Sequence, residues 1–387
     1  MKKLGYLMGA ILLTLGSCTN EINEEGFVDK ANTISFSAYP NKTRAVTGDV
    51  TSDNMKNDDF GVVGYHDNII YLGSSNAAIQ QTWKADENVN GGGSWEYRTQ
   101  SDLQFWPSSG TMRFFAYFPF SDHAMFSESI SENGTVMTIP NLTCNHDVLF
   151  ASTNSLSYQE RVPLTFYHAF SKIESLNVKI EGGNVESAGV SIEIQKVEFI
   201  NTSTSGSVLV DNSGIASYTA VSPYVTLSKD FTSSTKTVNS TSKTAELINN
   251  TGKAEGYIFA TNSSSSETNK VKGIGKLLWN GTKEVLNNST LSSGNFACLK
   301  LTCKVKDNTH YLVGNESTYE DMYIPLTGTD SNHSDITSFI AGKRYKYNIV
   351  WEHNVGFTDE GDPILRPILF KVESVTGWDE VTVTITL

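Results

Sequence analysis

The feature that most constrains this chain is an apolar–polar alternation with a period of two, repeated in short runs almost from end to end. In the terminal EVTVTITL, Val381, Val383, Ile385 and Leu387 share one face and three threonines share the other. Tyr345, Tyr347, Ile349 and Trp351 repeat the pattern, as do Leu176, Val178 and Ile180, and Val190, Ile192 and Ile194. A period of two sends alternate side chains to opposite faces of an extended strand and gives a helix no coherent apolar stripe. The runs FGVVGY (Phe60–Tyr65) and MRFFAYF (Met112–Phe118) are nearly all apolar, which predicts strands covered on both faces. Only Asp335–Ile340 has a pattern suited to about one helical turn. Between the runs lie Gly, Ser, Asn and Pro turns such as Ser108-Ser109-Gly110 and Glu181-Gly182-Gly183-Asn184. Short strands at roughly 8–12-residue intervals predict β-sandwiches. Asn201–Gly206 and Asp230–Lys243 read as long surface loops, and the texture changes near Arg161–Pro163, which is the expected domain boundary.

A targeting segment precedes the fold. Lys2 and Lys3 begin it, Leu4–Leu15 is a short apolar run, and Leu15-Gly16-Ser17-Cys18 looks like a bacterial lipobox. Small residues there give a signal peptidase access, and the Cys18 thiol is the group that takes a lipid. The apolar run is too short for a permanent bilayer-spanning helix. The polar, acidic stretch Thr19–Ala31 reads as a tether.

The next stretch, NTISFSAYPNKTRAVT (Asn32–Thr47), joins a strand to an exposed basic loop. Ile34, Phe36 and Ala38 lie on one face, Pro40 ends the strand, and Lys42-Thr43-Arg44 comes next. A basic residue in an exposed loop is where a trypsin-like protease cuts. The strand therefore reads either as a removable plug or as an ordinary first strand with an ordinary loop.

Charge and residue chemistry exclude several classes. The 387-residue chain carries a formal net charge of −13, and removal of the leader takes away only Lys2 and Lys3. With no basic stripe to neutralise phosphates, nucleic acid is not an expected partner. Setting Cys18 aside leaves three of the four cysteines, an odd number that predicts no disulfide framework. Cys303 shares a face with Leu299, Leu301 and Val305 and reads as a core residue. The seven histidines are scattered without metal-binding spacing, and Gly91-Gly92-Gly93 lacks the lysine of a phosphate loop. His168, in an apolar run, reads as structural. Asp359-Glu360-Gly361-Asp362 lacks EF-hand spacing and reads as a solvated turn. Trp83, Trp95 and Tyr97 read as packing residues, with a glycan groove as the other option. No catalytic residue, metal or cofactor is expected.

Taken in order, the lipobox at Cys18, ISFSAYPNKTRA, FGVVGY, FWPSSGTMRFFAYFPF, DVLFA, VPLTFYHAFSKI, AGKRYKYNIVW and GWDEVTVTITL resemble the fimbrillins, the type V pilins of Bacteroides-type bacteria. The resemblance implies an all-β fold of two transthyretin-like β-sandwich domains with Greek-key connections. It implies a signal peptide over residues 1–17, a lipidated propeptide over 18–44, and domains over 45–162 and 163–387. It further implies export to the outer membrane as a lipoprotein precursor. An arginine-specific protease then cuts between Arg44 and Ala45, releasing the lipid anchor with the strand Ile34, Phe36, Ala38. A strand from another fimbrial subunit, typically carboxyl-terminal, fills the vacated groove and builds a head-to-tail polymer for adhesion and biofilm formation. Val381, Val383, Ile385 and Leu387 carry the same period-two code and are the candidate donor. The tail reads equally as the last strand of its own sandwich. A non-polymerising surface lipoprotein, or a tip adhesin for a glycan or host ligand, is the alternative.

Overall fold

The computed structural model describes residues 33–40, 50–51, 53–74, 77–86, 92–122, 136–159, 161–182, 189–200, 202, 204–211, 214–220, 227–253, 255–259, 298–325, 339–351, 356–357, 363–364, 369–375 and 379–386. Among them the only helical pieces are short 3-10 turns at Asn54–Asn57, Gln100–Asp102 and Phe120–Asp122. Everything else regular is strand, so the period-two pattern is realised as an all-β chain. The strands are β1 (Phe36–Pro40), β2 (Phe60–His66), β3 (Ile69–Leu72), β4 (Ile79–Ala85), β5 (Gly93–Tyr97), β6 (Met112–Phe118), β7 (Val136–Thr143), β8 (Leu149–Ser152), β9 (Val162–His168), β10 (Phe170–Ile180), β11 (Ser191–Ile200), β12 (Ser205–Asp211) and β13 (Gly214–Ala220). They continue as β14 (Leu227–Asp230), β15 (Lys236–Val238), β16 (Thr244–Asn249), β17 (Tyr257–Phe259), β18 (Cys298–Lys306), β19 (Tyr311–Val313), β20 (Glu320–Pro325), β21 (Lys343–Trp351), β22 (Gly356–Phe357), β23 (Pro363–Ile364), β24 (Leu369–Val375) and β25 (Asp379–Thr386).

The first sheet runs β3-β2-β4-β5-β1-β9-β8-β6, and β6 pairs back onto β2, so the ladder closes on itself. Closure explains why β2 and β6 are apolar on both faces. Phe60, Val62, Phe114, Ala116 and Phe118 point inward with Ile34, Phe36, Trp95, Leu164 and Phe166. Val63, Tyr65, Phe115 and Tyr117 point outward into a second apolar layer. That layer is covered by the small sheet β13-β12-β7, which contributes Met137, Ile139, Val208 and Val210. Gly61 sits opposite Tyr117, and a Cβ at residue 61 would fall inside the Tyr117 ring. The β2–β3 hairpin turns through Asp67 and Asn68, at φ 47° and 69°, as a two-residue turn of this hand requires.

The second core lies between sheet β16-β10-β21-β25-β24 and sheet β14-β11-β18-β19. Ile173, Leu176, Val178 and Ile180 of β10 face Val197, Phe199, Leu299 and Leu301, with Tyr345, Tyr347 and Ile349 from β21. Cys303 is fully buried there with Leu299, Leu301 and Val305. Strand β10 enters both cores: Phe170 packs in the first unit's outer layer and Ile173 in the second core.

Several expectations shift. The division was expected at residue 162, yet β9, which begins there, pairs with β1 and β8 and continues the first sheet. Strands β12 and β13 return from beyond that point to pair with β7. The expected loop Asp230–Lys243 contains β15, whose Val238 is buried against the second core. Strand β12 begins inside the expected loop Asn201–Gly206. Both segments are too polar for their pattern to reveal a pairing partner. Asp359–Asp362, and Asp335–Ser338 of the expected helical turn, lie outside the described residues.

Candidate functional site

The candidate site is β1 and the slot that holds it. Thr33 bridges to Phe105, and the Ile34 amide donates to the Gln104 carbonyl at 2.9 Å. From Phe36 onward β1 runs parallel to β9, with Phe36, Ala38 and Pro40 beside Val162, Leu164 and Phe166. The Val162 amide donates to the Ser35 carbonyl at 2.7 Å. Alternate residues of β9 therefore turn their backbone groups to β1, and Pro163, opposite Ser37, has its missing donor on the other side. There β8 reaches only Tyr167 and His168, so the proline breaks no ladder bond. On its other flank β1 meets β5 antiparallel, at Phe36 beside Trp95.

The inner face of β1 supplies the apolar contacts. Ile34 and Phe36 are buried, and Ala38 is partly buried against the same core. The Phe36 ring stands edge-on to Phe114 and Phe60, with centroids at 5.5 and 6.1 Å. Phe60 in turn meets Trp95 at 4.9 Å and Phe166 at 5.5 Å. Trp95 is thus a packing residue. Without β1 the facing edges of β5 and β9 would be unpaired, and this aromatic cluster would face water. An open edge above an apolar floor is a template for an added strand.

The other residues singled out in the sequence are scattered. Cys18, Arg44 and Ala45 lie outside the described residues, as does the whole of 41–49 that links Pro40 to Val50. The tail forms β25. Its Val381, Val383 and Ile385 pair parallel with Tyr345, Tyr347 and Ile349 of β21. They pair antiparallel with Ser374, Val372 and Phe370 of β24. Leu387 lies outside the described residues. Within one chain the tail is thus an interior strand of its own second sheet and does not meet β1. Of the two readings of the tail, this is the own-sandwich arrangement.

One arrangement escaped the sequence reading. His168, at the end of β9, faces the buried Asp147 carboxylate with Nδ1 2.9 Å from Oδ2. The same Oδ2 accepts the Val50 amide at 3.0 Å. Val50, the first residue described after 41–49, is therefore tied to the far end of the strand that holds β1. The only sequence signal was an aspartate and a histidine 21 residues apart in strand-like runs, which does not specify a pair.

Two thiols, Cys303 and Cys144, are held protonated by burial. Burial pushes the Cys303 thiol up to about 12, with Asp321 and Glu320 adding to it. Burial also raises the Cys144 thiol well above its ordinary value. Among the described residues no three His, Cys, Asp or Glu side chains converge as a metal site.

Among known proteins, a family model described as fimbrillin-like matches residues 43–361. A fimbrial protein from Bacteroides vulgatus is 14% identical, with 92% of this chain and 97% of that chain covered and a TM-score of 0.45. A fimbrilin from Porphyromonas gingivalis is 11% identical, with 92% and 97% covered and a TM-score of 0.39. Comparison with curated proteins gives no match.

Proposed function

The chain belongs to the fimbrillin-like family, and we propose that it is a structural subunit of a cell-surface fimbrium, assembled by strand exchange after cleavage between Arg44 and Ala45. The observation that carries this reading is the position of β1. It is an interior strand of a closed sheet, yet it is the first strand among the described residues. Only residues 41–49 join it to the rest. A cut after Arg44 would leave β1 held by non-covalent contacts alone. Those contacts are substantial. Burying Ile34 and Phe36 stabilises the seat by about 1.5–3 kcal/mol each, and each ladder hydrogen bond adds about 1 kcal/mol net. Release therefore needs either a competing strand or mechanical help. A donor strand of the same direction would restore the ladder to β9 and β5 and refill the Phe60–Phe114–Trp95 floor. Because the donor and receiver surfaces differ, the contact is heterologous and generates an open filament. Export as a lipoprotein modified at Cys18 would place the precursor at the outer membrane before processing.

The arrangement of β25 favours a second reading. The tail is already paired on both sides, so donation requires it to leave β21 and β24. A subunit that keeps its tail would be a tip adhesin or a non-polymerising surface lipoprotein. Arg44→Ala separates the readings. Under the polymer reading it leaves lipidated monomers that retain β1, whereas filaments formed as before would overturn it.

A further inference from the structure

We propose that Asp147, oriented by His168, is a positioning residue that keeps Val50 of the processed chain seated while β1 leaves its slot. The proposal rests on the reading that the chain is cut after Arg44. The Asp147 side chain is 2% exposed and that of His168 is 4% exposed. A carboxylate buried this far is disfavoured unless its oxygens are bonded. Here Oδ2 accepts the Val50 amide at 3.0 Å and lies 2.9 Å from the His168 ring nitrogen.

The chain just past Val50 is also fixed. The Asn54 amide donates to Thr51 Oγ1 at 3.2 Å, the Met55 amide donates to the Thr51 carbonyl at 2.8 Å, and the Met55 side chain is buried in the core that β1 lines. The described residues on either side of 41–49 are thus held by different means on one strand. Upstream, the β9 main chain from Val162 to Phe166 carries β1. Downstream, His168 at the end of the same β9 carries Asp147, and Asp147 carries Val50. A cut between them leaves β1 on a ladder that another strand can replace residue by residue. Val50 stays on a side-chain clip that strand exchange does not touch. The same strand therefore presents a removable neighbour at one end and a retained one at the other.

The test is amide hydrogen exchange and amino-terminal sequencing on the full chain trimmed at Arg44, comparing the parent with Asp147→Ala and Asp147→Asn. The clip predicts that Asp147→Ala speeds exchange at the Val50 amide at least about tenfold. The amide of Ala116, in β6 and away from β1, keeps its parent rate. The trimmed product also becomes ragged, with extra starts downstream of residue 45. Asp147→Asn keeps an oxygen for Val50 and stays within about threefold of the parent. Unchanged Val50 exchange and a single start in Asp147→Ala overturn the proposal. So does equal acceleration of the Val50 and Ala116 amides in both variants, which would mark a general fold defect. A product that does not begin at Ala45 counts against the processing reading alone. The clip is then decided by the same Val50 comparison in the uncut chain.

Discussion

Phe36→Ala tests whether β1 is held mainly by its inner face. The Phe36 ring is 1% exposed and packs edge-on between Phe60 and Phe114. Truncating a buried phenylalanine to alanine costs about 3–5 kcal/mol, because the cavity only partly closes. In the uncut chain this loss appears as a lower denaturant midpoint with an unchanged slope. After cleavage at Arg44 the same loss acts on dissociation. With about 1.4 kcal/mol per tenfold change, it weakens retention of β1 by about two to four orders of magnitude. Mass spectrometry of the trimmed chain after dilution measures how much β1 peptide remains bound. Ser37→Ala is the matched control, since its hydroxyl reaches the Val162 carbonyl only at 3.5 Å. Its effect should stay within about 0.5 kcal/mol. If Phe36→Ala and Ser37→Ala release the peptide equally fast, the inner-face argument is wrong.

The packing sets three further outcomes. Gly61→Ala places a methyl group against the Tyr117 ring and should cost at least about 1–3 kcal/mol of stability, read from the denaturant midpoint. Cys303, fully buried and with its thiol pushed up to about 12, should resist alkylation at pH 8 until the chain unfolds; rapid labelling of native protein would contradict its placement. Tyr65 is pushed up to about 12 by burial, so the folded state holds this proton more tightly than the unfolded state does. Its contribution is complete below about pH 10 and is lost as the pH rises from there towards 12, so Tyr65→Phe should flatten that part of the stability profile.

Local pattern carried much of the fold. The all-apolar Met112–Phe118 run had to be covered on both faces, and the closed sheet covers it with an inner core and an outer layer. Cys303 and His168 were placed by their neighbours in the same way. Pairing was not legible, because a period of two says which face is buried and nothing about which strand lies alongside. Val381, Val383 and Ile385 suit a foreign groove and their own sheet equally well, and within one chain they lie in parallel register with Tyr345, Tyr347 and Ile349. The parallel contact between β1 and β9 spans more than a hundred residues of sequence, as the Ser37–Val162 separation of 125 illustrates. Strand β12 joins β7 across the expected boundary for the same reason. The Asp147–His168–Val50 arrangement depends on that topology and so was invisible beforehand.

The central claim is that the strand carrying Ile34, Phe36 and Ala38 is temporary. Surface filaments containing this chain should be isolated, and the amino terminus and intact mass of the subunit determined. The expected result is a start at Ala45, with neither β1 nor the Cys18 lipid in the assembled subunit. A filament subunit that begins at a lipidated Cys18 and still carries β1 would contradict it.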